Sequence, residues 1–322
     1  NDLLIADNRF FRNGRGSVFD HNIYLDESGG ATTGGRILRN ELYRSSARDT
    51  GICGGTSLVV HGEHTDLLIE DNLIYEDIGA ANQGCWGIGV NAGYAETEGF
   101  VRVIIRGNTI RNVGNTAIGI SSCVDCIVEN NVIEHQQAFD MFGIFAPTGG
   151  AGGNDLPMDH LTVRNNSIYT SNGDSIGIYV GGQGTGHVIV SNAIQANISG
   201  GSWACLSMPL PGGAYAAINN NVCGYAPASG REWEEGSGNI AAWRAASGFD
   251  LASKAMAPGF ASPGAPGHNL SAASATSAMV DAGHASLSAQ RDVYGILRSP
   301  PPDAGAHEFG FSDTIFVNGF EQ

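Results

Sequence analysis

The residues best suited to chemistry are polar side chains at the ends of short apolar segments. Asp26, His61 and Asn91 occupy the same position in three such segments, and Tyr24 lies two residues before Asp26. Histidine is the side chain that titrates closest to neutral pH, so His61 or the nearby His64 is a candidate base, with Tyr24 as a candidate acid. The pattern predicts a convergent polar cluster that is suited to acid–base chemistry.

Charged residues in the adjoining turns extend this predicted site. Arg48 is a second candidate acid, and Arg44 is a candidate for binding an acidic group of the substrate. Asp26, Glu27 and Glu63 offer carboxylate oxygens, which are the ligands that calcium prefers. Calcium is the only cofactor that the sequence indicates.

An alternative chemistry uses two of these carboxylates directly. Asp26 or Glu27 could face Glu63 or Asp66 across one repeat of the chain. Glycoside hydrolases hold their two carboxyl groups roughly 5 to 10 Å apart, a distance compatible with such a pair. The same region therefore also supports a hydrolase hypothesis.

Other residues near these segments are suited to binding a sugar polymer. Aromatic rings can stack on sugar faces, and polar groups can bind hydroxyls or acidic groups. The predicted substrate-binding residues are Asn91, Arg44, Trp86, Phe145 and Tyr179. Three insertions, at 91–100, 136–160 and 199–215, are rich in Gly, Pro and aromatic residues and are predicted to border a lateral groove.

All these residues are positioned by a repeat that occurs eight times. Each copy reads apolar, two other residues, Asn, one other residue, apolar, and successive asparagines are 23 to 36 residues apart. The asparagines are Asn8, Asn40, Asn72, Asn108, Asn131, Asn166, Asn192 and Asn221. A repeat with a constant core and variable length indicates a solenoid whose insertions fall in loops on one face.

Each copy alternates with a second short apolar segment, such as 22–26, 57–61 and 87–91, so each unit supplies at least two strands. Asn and Gly fall where a helix interior would reject them. Stacking the units places Ile on Ile in the core and Asn on Asn at a corner. There we expect each Asn to adopt the left-handed conformation, to donate its amide to the next coil and to accept from the previous one.

This pattern resembles the right-handed parallel β-helix of the pectate-lyase-like superfamily over residues 1–225. The fold class implied is all-β, a solenoid with about eight recognisable coils and a lateral groove. The segment Val60-His-Gly-Glu-His64 resembles the Arg-His-Gly-x segment of alginate and chondroitin lyases of this fold. The resemblance implies a polysaccharide lyase that cleaves an acidic, uronate-containing polysaccharide by β-elimination.

The chain departs from those lyases at two positions that matter for mechanism. Val60 replaces the motif arginine, and Lys254, outside the coils, is the only lysine. A mechanism based on lysine and arginine therefore cannot be carried over, and histidine is left as the candidate base. The same departures favour a further alternative, a non-catalytic surface or polysaccharide-binding protein.

The remaining sequence describes the end of the domain. Residues 226–310 are predicted to fold back on the solenoid and close it, because Val280-Asp-Ala-Gly283, Arg291–Arg298 and Asp303–Glu308 resemble the closing motif of secreted bacterial β-helix proteins. Residues 311–322 form a predicted tail that resembles the terminal tags of proteins exported by some Gram-negative bacteria.

The composition limits the possible binding partners and the cellular compartment of the protein. A net charge of −16 argues against nucleic acid and anionic membrane surfaces, and no apolar run is long enough to span a membrane. The six cysteines fall into three pairs that stacked coils or a shared turn would bring together: Cys53 with Cys85, Cys123 with Cys126, and Cys205 with Cys223. We expect a secreted or cell-surface monomer from a Gram-negative bacterium, with a polysaccharide as its partner.

Overall fold

The computed structural model describes residues 3–14, 17–26, 30–45, 52–93, 97–147, 155–171, 175–197, 203–225 and 240–310, and it is a parallel β-solenoid. Each copy of the Asn repeat supplies one strand to sheet A and one to sheet B, and the second apolar segments form sheet C. The predicted fold class is confirmed. The eighth copy has no strand in sheet C among the described residues, so the number of complete turns is slightly lower than predicted.

The strands are short, and the two longest sheets contain one strand from every copy of the repeat. Sheet A contains Leu4–Ala6, Arg36–Leu38, Leu68–Glu70, Ile104–Arg106, Ile127–Glu129, Thr162–Arg164, His187–Val190 and Tyr215–Asn219. Sheet B contains Arg9–Phe11, Glu41–Tyr43, Leu73–Tyr75, Thr109–Arg111, Val132–His135, Ser167–Thr170, Ala193–Ala196, Val222–Tyr225 and Lys254–Ala255.

Two further parallel sheets complete the coils. Sheet C contains Ile23–Leu25, Leu58–Val60, Ile88–Val90, Thr116–Ile120, Phe142–Ala146, Ile176–Val180 and Ala204–Ser207. Sheet D contains Thr32–Thr33, Glu63–Thr65, Gly99–Val101 and Cys123–Val124. Outside the coils lie an antiparallel pair, Phe260–Ser262 with Asn269–Ala272, an α-helix, Ile240–Ser247, and a 3-10 turn, Gly212–Ala214.

The core is built from columns of identical or similar side chains. The first apolar residue of each repeat pairs in register with its counterpart on the next coil. From Ile37 to Ile218, every member of this column is at most 1% exposed. Burying such a side chain contributes about 1.5–3 kcal/mol, so the column is a main source of hydrophobic stabilisation.

The repeat asparagines form a continuous ladder along one corner, as predicted. From Asn8 to Asn192, the side-chain amide of each donates to Oδ1 of the Asn on the next coil at 2.9–3.1 Å. The backbone N–H of each donates to that same oxygen, also at 2.9–3.1 Å. Every coil is therefore joined to the next by hydrogen bonds that the sheets do not supply.

The left-handed residue of this corner was predicted wrongly. It is the residue before each ladder Asn, with φ between 51° and 66° at Asp7, Arg39, Asp71, Gly107, Asn130, Asn165, Ser191 and Asn220. The ladder Asn itself must keep its side chain beneath the corner, where it reaches the coils on both sides. At Gly107 a Cβ would lie 2.3 Å from Oδ1 of Asp71, so a larger residue there would require the Asp71 side chain to move.

The C-terminal segment, residues 252–310, lies along the outside of the last four coils. Its apolar residues, including Leu270 and Met279, pack on Val132, Ala193 and Val222 of sheet B. The left-handed residues of these coils each form hydrogen bonds with it, including Asn130 to Arg291 O, Asn165 to Asp303 O, Gly305 N–H to Ser191 O and Asn220 to Ala282 O. This segment therefore folds back along the flank of the solenoid.

The three predicted motifs of this segment meet in one buried cluster. Arg298 donates to Glu308 at 3.1 Å and to Oδ1 of Asn130 at 2.9 Å. Asp303 accepts from the backbone of Asp281 and of Phe309. The predicted boundaries, 1–225, 226–310 and 311–322, stay predictions, and residues 226–239 and 311–322 lie outside the described residues.

All three predicted cysteine pairs are bonded. Cys53–Cys85 joins neighbouring coils, Cys123–Cys126 closes one turn, and Cys205–Cys223 links sheets C and B. Within the described ranges, no helix is long and apolar enough to cross a membrane.

Candidate functional site

The outer face of sheet C carries the predicted column of mid-strand residues. Strand register places in one line Tyr24, Val59, Gly89, Gly119, Phe145, Tyr179 and Ser207. The two glycines leave the centre of this line without side chains, between the ring of Tyr24 and the rings of Phe145 and Tyr179. We call the outer side of sheet C the groove face.

The predicted polar column lies beside this line, two residues further along each strand. The backbone N–H groups of His61, Asn91 and Ser121 each donate to the coil below, at 2.9, 3.2 and 2.9 Å. Asp26, His61, Asn91 and Ser121 therefore follow one another on successive coils. The structure confirms the alignment that the sequence predicted; it does not test the roles.

Insertions border the groove face on this side. Glu98 N–H donates to Asp155 Oδ1 at 2.9 Å, and Leu156 N–H donates to Glu98 O at 3.1 Å, so the insertions 91–100 and 136–160 contact each other. The insertion 199–215 reaches the same edge, because a Cβ on Gly181 would lie 2.4 Å from Pro209. The polar column and the insertions therefore lie along the same edge of the groove face.

His61 lies at the centre of the cluster. Its Nδ1 is 2.6 Å from the carbonyl oxygen of Asn91, and its side chain is 13% exposed. The ring of Tyr24 is 5.8 Å away, with the side chain of Tyr24 on the surface. His21 stacks on the other side of Tyr24 at 5.4 Å. Burial lowers the pKa of His21, while its hydrogen bond to Thr56 O opposes that effect.

Glu98 lies behind His61 and was not predicted. Its side chain is 1% exposed, and Oε1 is 3.7 Å from Nδ1 of His61. Gly62 N–H and Gly93 N–H donate to its two oxygens at 2.7 and 2.5 Å. Sequence reasoning missed Glu98 because it lies in an insertion, where the repeat assigns no position. Extending the repeat to sheet D would have found it, since Gly99 pairs with Glu63 and thereby aligns Glu98 with Gly62.

His64, the other candidate base, is buried in sheet D. Its Nδ1 is 2.6 Å from Thr32 Oγ1, its Nε2 is 2.8 Å from His61 O, and its ring stacks on Phe100. A buried ring with both nitrogens in hydrogen bonds is typical of a side chain that joins neighbouring coils.

The predicted calcium ligands are spread over two sheets. Asp26 is exposed at the end of its sheet C strand, whereas Glu63 begins a strand of sheet D, and Glu27 lies outside the described residues. In the described part of the chain, the only three ligand atoms close enough for a metal ion belong to Cys53, Glu76 and Cys85, and both sulfurs are in a disulfide. The calcium site therefore stays a prediction.

The two predicted arginines do not add to the described site. Arg44 follows a strand of sheet B, where it pairs with Asp77 and lies over the ring of Tyr43 at 5.0 Å. The hydrogen bond from Tyr43 and then that from Arg44 hold the pKa of Asp77 below its usual range. Arg48 lies outside the described residues. Asp66, named in the hydrolase hypothesis, is exposed and paired with Arg102 at 2.7 Å.

Aromatic rings gather at the other end of the groove face. Phe142 stacks on Phe145 at 4.3 Å, and Tyr179 meets Phe145 edge-on at 5.2 Å. Phe142 was not predicted, because a spacing of three residues from Phe145 would place the two side chains on opposite faces of a regular strand. Trp86 lies before its sheet C strand and donates to Asn115 at 2.7 Å. We call Phe142, Phe145 and Tyr179 the aromatic platform.

Comparison of the chain with models of known protein families and with curated proteins gives no match. The fold and the groove face therefore define the class of protein, a parallel β-solenoid with a lateral cluster of histidine, tyrosine and carboxylate groups. The likeness to pectate-lyase-like proteins rests on sequence motifs and architecture.

Proposed function

We propose that the protein is a polysaccharide lyase that cleaves an acidic polysaccharide by β-elimination, with His61 as base and Tyr24 as acid. The observation that carries the proposal is the 5.8 Å separation of these two rings on the groove face. β-Elimination needs a base for the C5 proton of a uronate and an acid for the leaving oxygen, and the two groups must reach the same sugar. His61 and Tyr24 are close enough to do so.

The rest of the groove face suits a polymer. The centre of the face carries no side chains at Gly89 and Gly119, and the aromatic platform offers faces on which sugar residues can stack. A chain with a net charge of −16 needs a counter-charge to hold an acidic sugar, which favours calcium, with Asp26, Glu27 and Glu63 as proposed ligands. Asn91, next to His61, is a proposed hydrogen-bonding partner of the sugar.

A panel of uronate polysaccharides tests the proposal, with calcium and with a chelator. Rising ultraviolet absorbance from unsaturated sugar ends identifies a lyase, whereas new reducing ends without absorbance identify a hydrolase. Binding without either signal identifies a polysaccharide-binding protein. His61→Ala and Tyr24→Phe should each lower kcat by roughly 10²- to 10⁴-fold. His160→Ala, which removes an exposed histidine, is the control that should keep full activity.

We further propose that the protein works outside the cytoplasm of a bacterium. Three disulfides support this, because such bonds persist in oxidising compartments. Fractionation of the producing cells, with the disulfides checked by mass spectrometry, tests the location. Recovery of reduced protein from the cytoplasmic fraction would contradict it.

A further inference from the structure

We infer that Glu98 is the positioning residue for His61, and that together with Asn91 it holds the imidazole with its proton on Nδ1 and with Nε2 as the base. This inference rests on the proposed function, because it assigns a role within the same site. It concerns a carboxylate that neither the repeat nor the lyase resemblance indicates.

The contact with Asn91 determines where the ring proton lies. A carbonyl oxygen only accepts hydrogen bonds, so the 2.6 Å contact between Asn91 O and Nδ1 of His61 requires a proton on Nδ1. In the neutral ring, the other nitrogen, Nε2, is then unprotonated and basic.

Glu98 supplies a fixed negative charge on the Nδ1 side of the ring. Both of its oxygens are held by backbone N–H groups, of Gly62 and Gly93, and its side chain is 1% exposed. At 3.7 Å from Nδ1 and shielded from water, the carboxylate attracts an imidazolium more strongly than a surface charge would. Tyr24 and His21 are the other titratable groups whose rings lie near His61, and His64 contacts its backbone oxygen.

Gly93 packs closely against the edge of the ring that carries Cε1. A Cβ at this position would lie 2.7 Å from Cε1 of His61 and 3.1 Å from Nδ1. Asn91, Gly93 and Glu98 therefore contact the same imidazole from a single short insertion. Asn91 accepts the hydrogen bond of the Nδ1 proton, Gly93 packs on the ring edge, and Glu98 supplies a charge.

The chemical step balances with these groups alone. Nε2 of His61 takes the C5 proton, the electron pair of the C5–H bond forms the C4–C5 double bond, and the C4–O bond breaks. Tyr24 gives its hydroxyl proton to the leaving oxygen. Imidazolium and tyrosinate then return to their starting forms by exchanging one proton through water. The carboxylate of Glu98, 3.7 Å from Nδ1, stabilises the imidazolium through its charge.

The first test measures the ring itself, in the full-length wild-type protein, by ¹⁵N NMR with His61 assigned through His61→Gln. The expected result is a neutral ring protonated at Nδ1. A neutral ring protonated at Nε2 overturns the inference, whether or not the protein has lyase activity.

The second test compares Glu98→Gln with Asp7→Asn, which removes an exposed carboxylate at the corner between sheets A and B. Glu98→Gln should lower kcat by about tenfold or more with little change in KM, and should raise the share of the neutral His61 ring that carries its proton on Nε2 in ¹⁵N spectra. Asp7→Asn should change neither, and Glu98→Asp, which keeps the charge, should recover part of kcat. If Glu98→Gln fails to fold, the Glu98→Asp variant carries the same two measurements, with an intermediate loss expected.

The outcomes separate the two proposals. A wild-type protein that cleaves uronates, while Glu98→Gln keeps kcat and keeps the His61 proton on Nδ1, leaves the lyase function standing and overturns the role of Glu98. A protein without lyase activity overturns the proposed function, while NMR still decides whether Glu98 controls the ring.

Discussion

Asn108 and Asn131 are joined by a side-chain hydrogen bond of 3.0 Å although 23 residues separate them, and Asn72 reaches Asn108 at 2.9 Å across 36 residues. The ladder is therefore independent of coil length. Extra residues leave the corner unchanged because they are accommodated in loops elsewhere on the coil.

The ladder should be a strong contributor to stability. Asn108→Ala removes the acceptor of two donors on Asn72, its side-chain amide and its backbone N–H. Each orphaned buried group costs about 1–3 kcal/mol, so a clear fall in the free energy of unfolding is expected in urea titrations. Asn8→Ala, at the exposed end of the ladder, should cost much less. Equal losses for the two variants would contradict a cooperative ladder.

Arg298 should hold the C-terminal segment to the solenoid. Its side chain is 2% exposed and pairs with Glu308, so Arg298→Met leaves a buried carboxylate without its cation. Breaking a buried ion pair costs about 3–5 kcal/mol. Hydrogen exchange should rise in residues 252–310 and in the strands Val132–His135 and Ser167–Thr170. The exposed Arg291 offers a matched control, since Arg291→Met should leave exchange in those strands unchanged.

The three disulfides should differ in their contributions to stability. They close loops of 32, 18 and 3 residues, for Cys53–Cys85, Cys205–Cys223 and Cys123–Cys126. Loop entropy then predicts losses of about 4, 3 and 2 kcal/mol when each pair is replaced by alanine. Urea unfolding of the three double variants measures the order. A larger loss for Cys123–Cys126 than for Cys53–Cys85 would show that native packing, and not loop closure, dominates.

Glu76 should make the protein less stable as pH rises. Burial raises the pKa of its carboxyl to about 8, so the folded state binds a proton that the unfolded state releases near pH 4. The contribution to stability is complete below about pH 4 and is lost progressively as pH rises to about 8. The urea concentration at which half of the protein is unfolded should fall as pH rises from 5 to 9, and it should fall less steeply for Glu76→Gln than for the wild type. The same change at exposed Asp140, Asp140→Asn, should leave the slope unaltered.

The sequence predicts well the positions of those residues that belong to the repeat. Asn108 and Ile105 recur at fixed spacing, so their columns, the strand register and the groove-face line follow from stacking alone. The cysteine pairs follow as well, because stacked coils bring Cys53 and Cys85 together. Tyr24, His61 and Asn91 were found for the same reason.

Features outside the repeat were not predictable in this way. The left-handed position was assigned to the ladder Asn, although its side chain has to point under the corner and the preceding residue makes the bend. Glu98 approaches His61 from an insertion, and only the register of sheet D, which the predicted repeat does not include, relates the two. His64 resembles a catalytic residue in sequence, yet the stacking of sheet D buries it against Thr32 and Phe100.

The C-terminal segment restricts the number of coils that it spans. Its hydrogen bonds with the corner residues Asn130, Asn165, Ser191 and Asn220 span four consecutive coils, which rise about 4.8 Å each. Deleting one of these coils would bring the remaining attachment points out of step with the segment. Adding a coil between Asn8 and Asn108 would leave those attachment points in step with the segment. It would also lengthen the groove face. Natural variation in the length of this protein should therefore be confined to its first four coils.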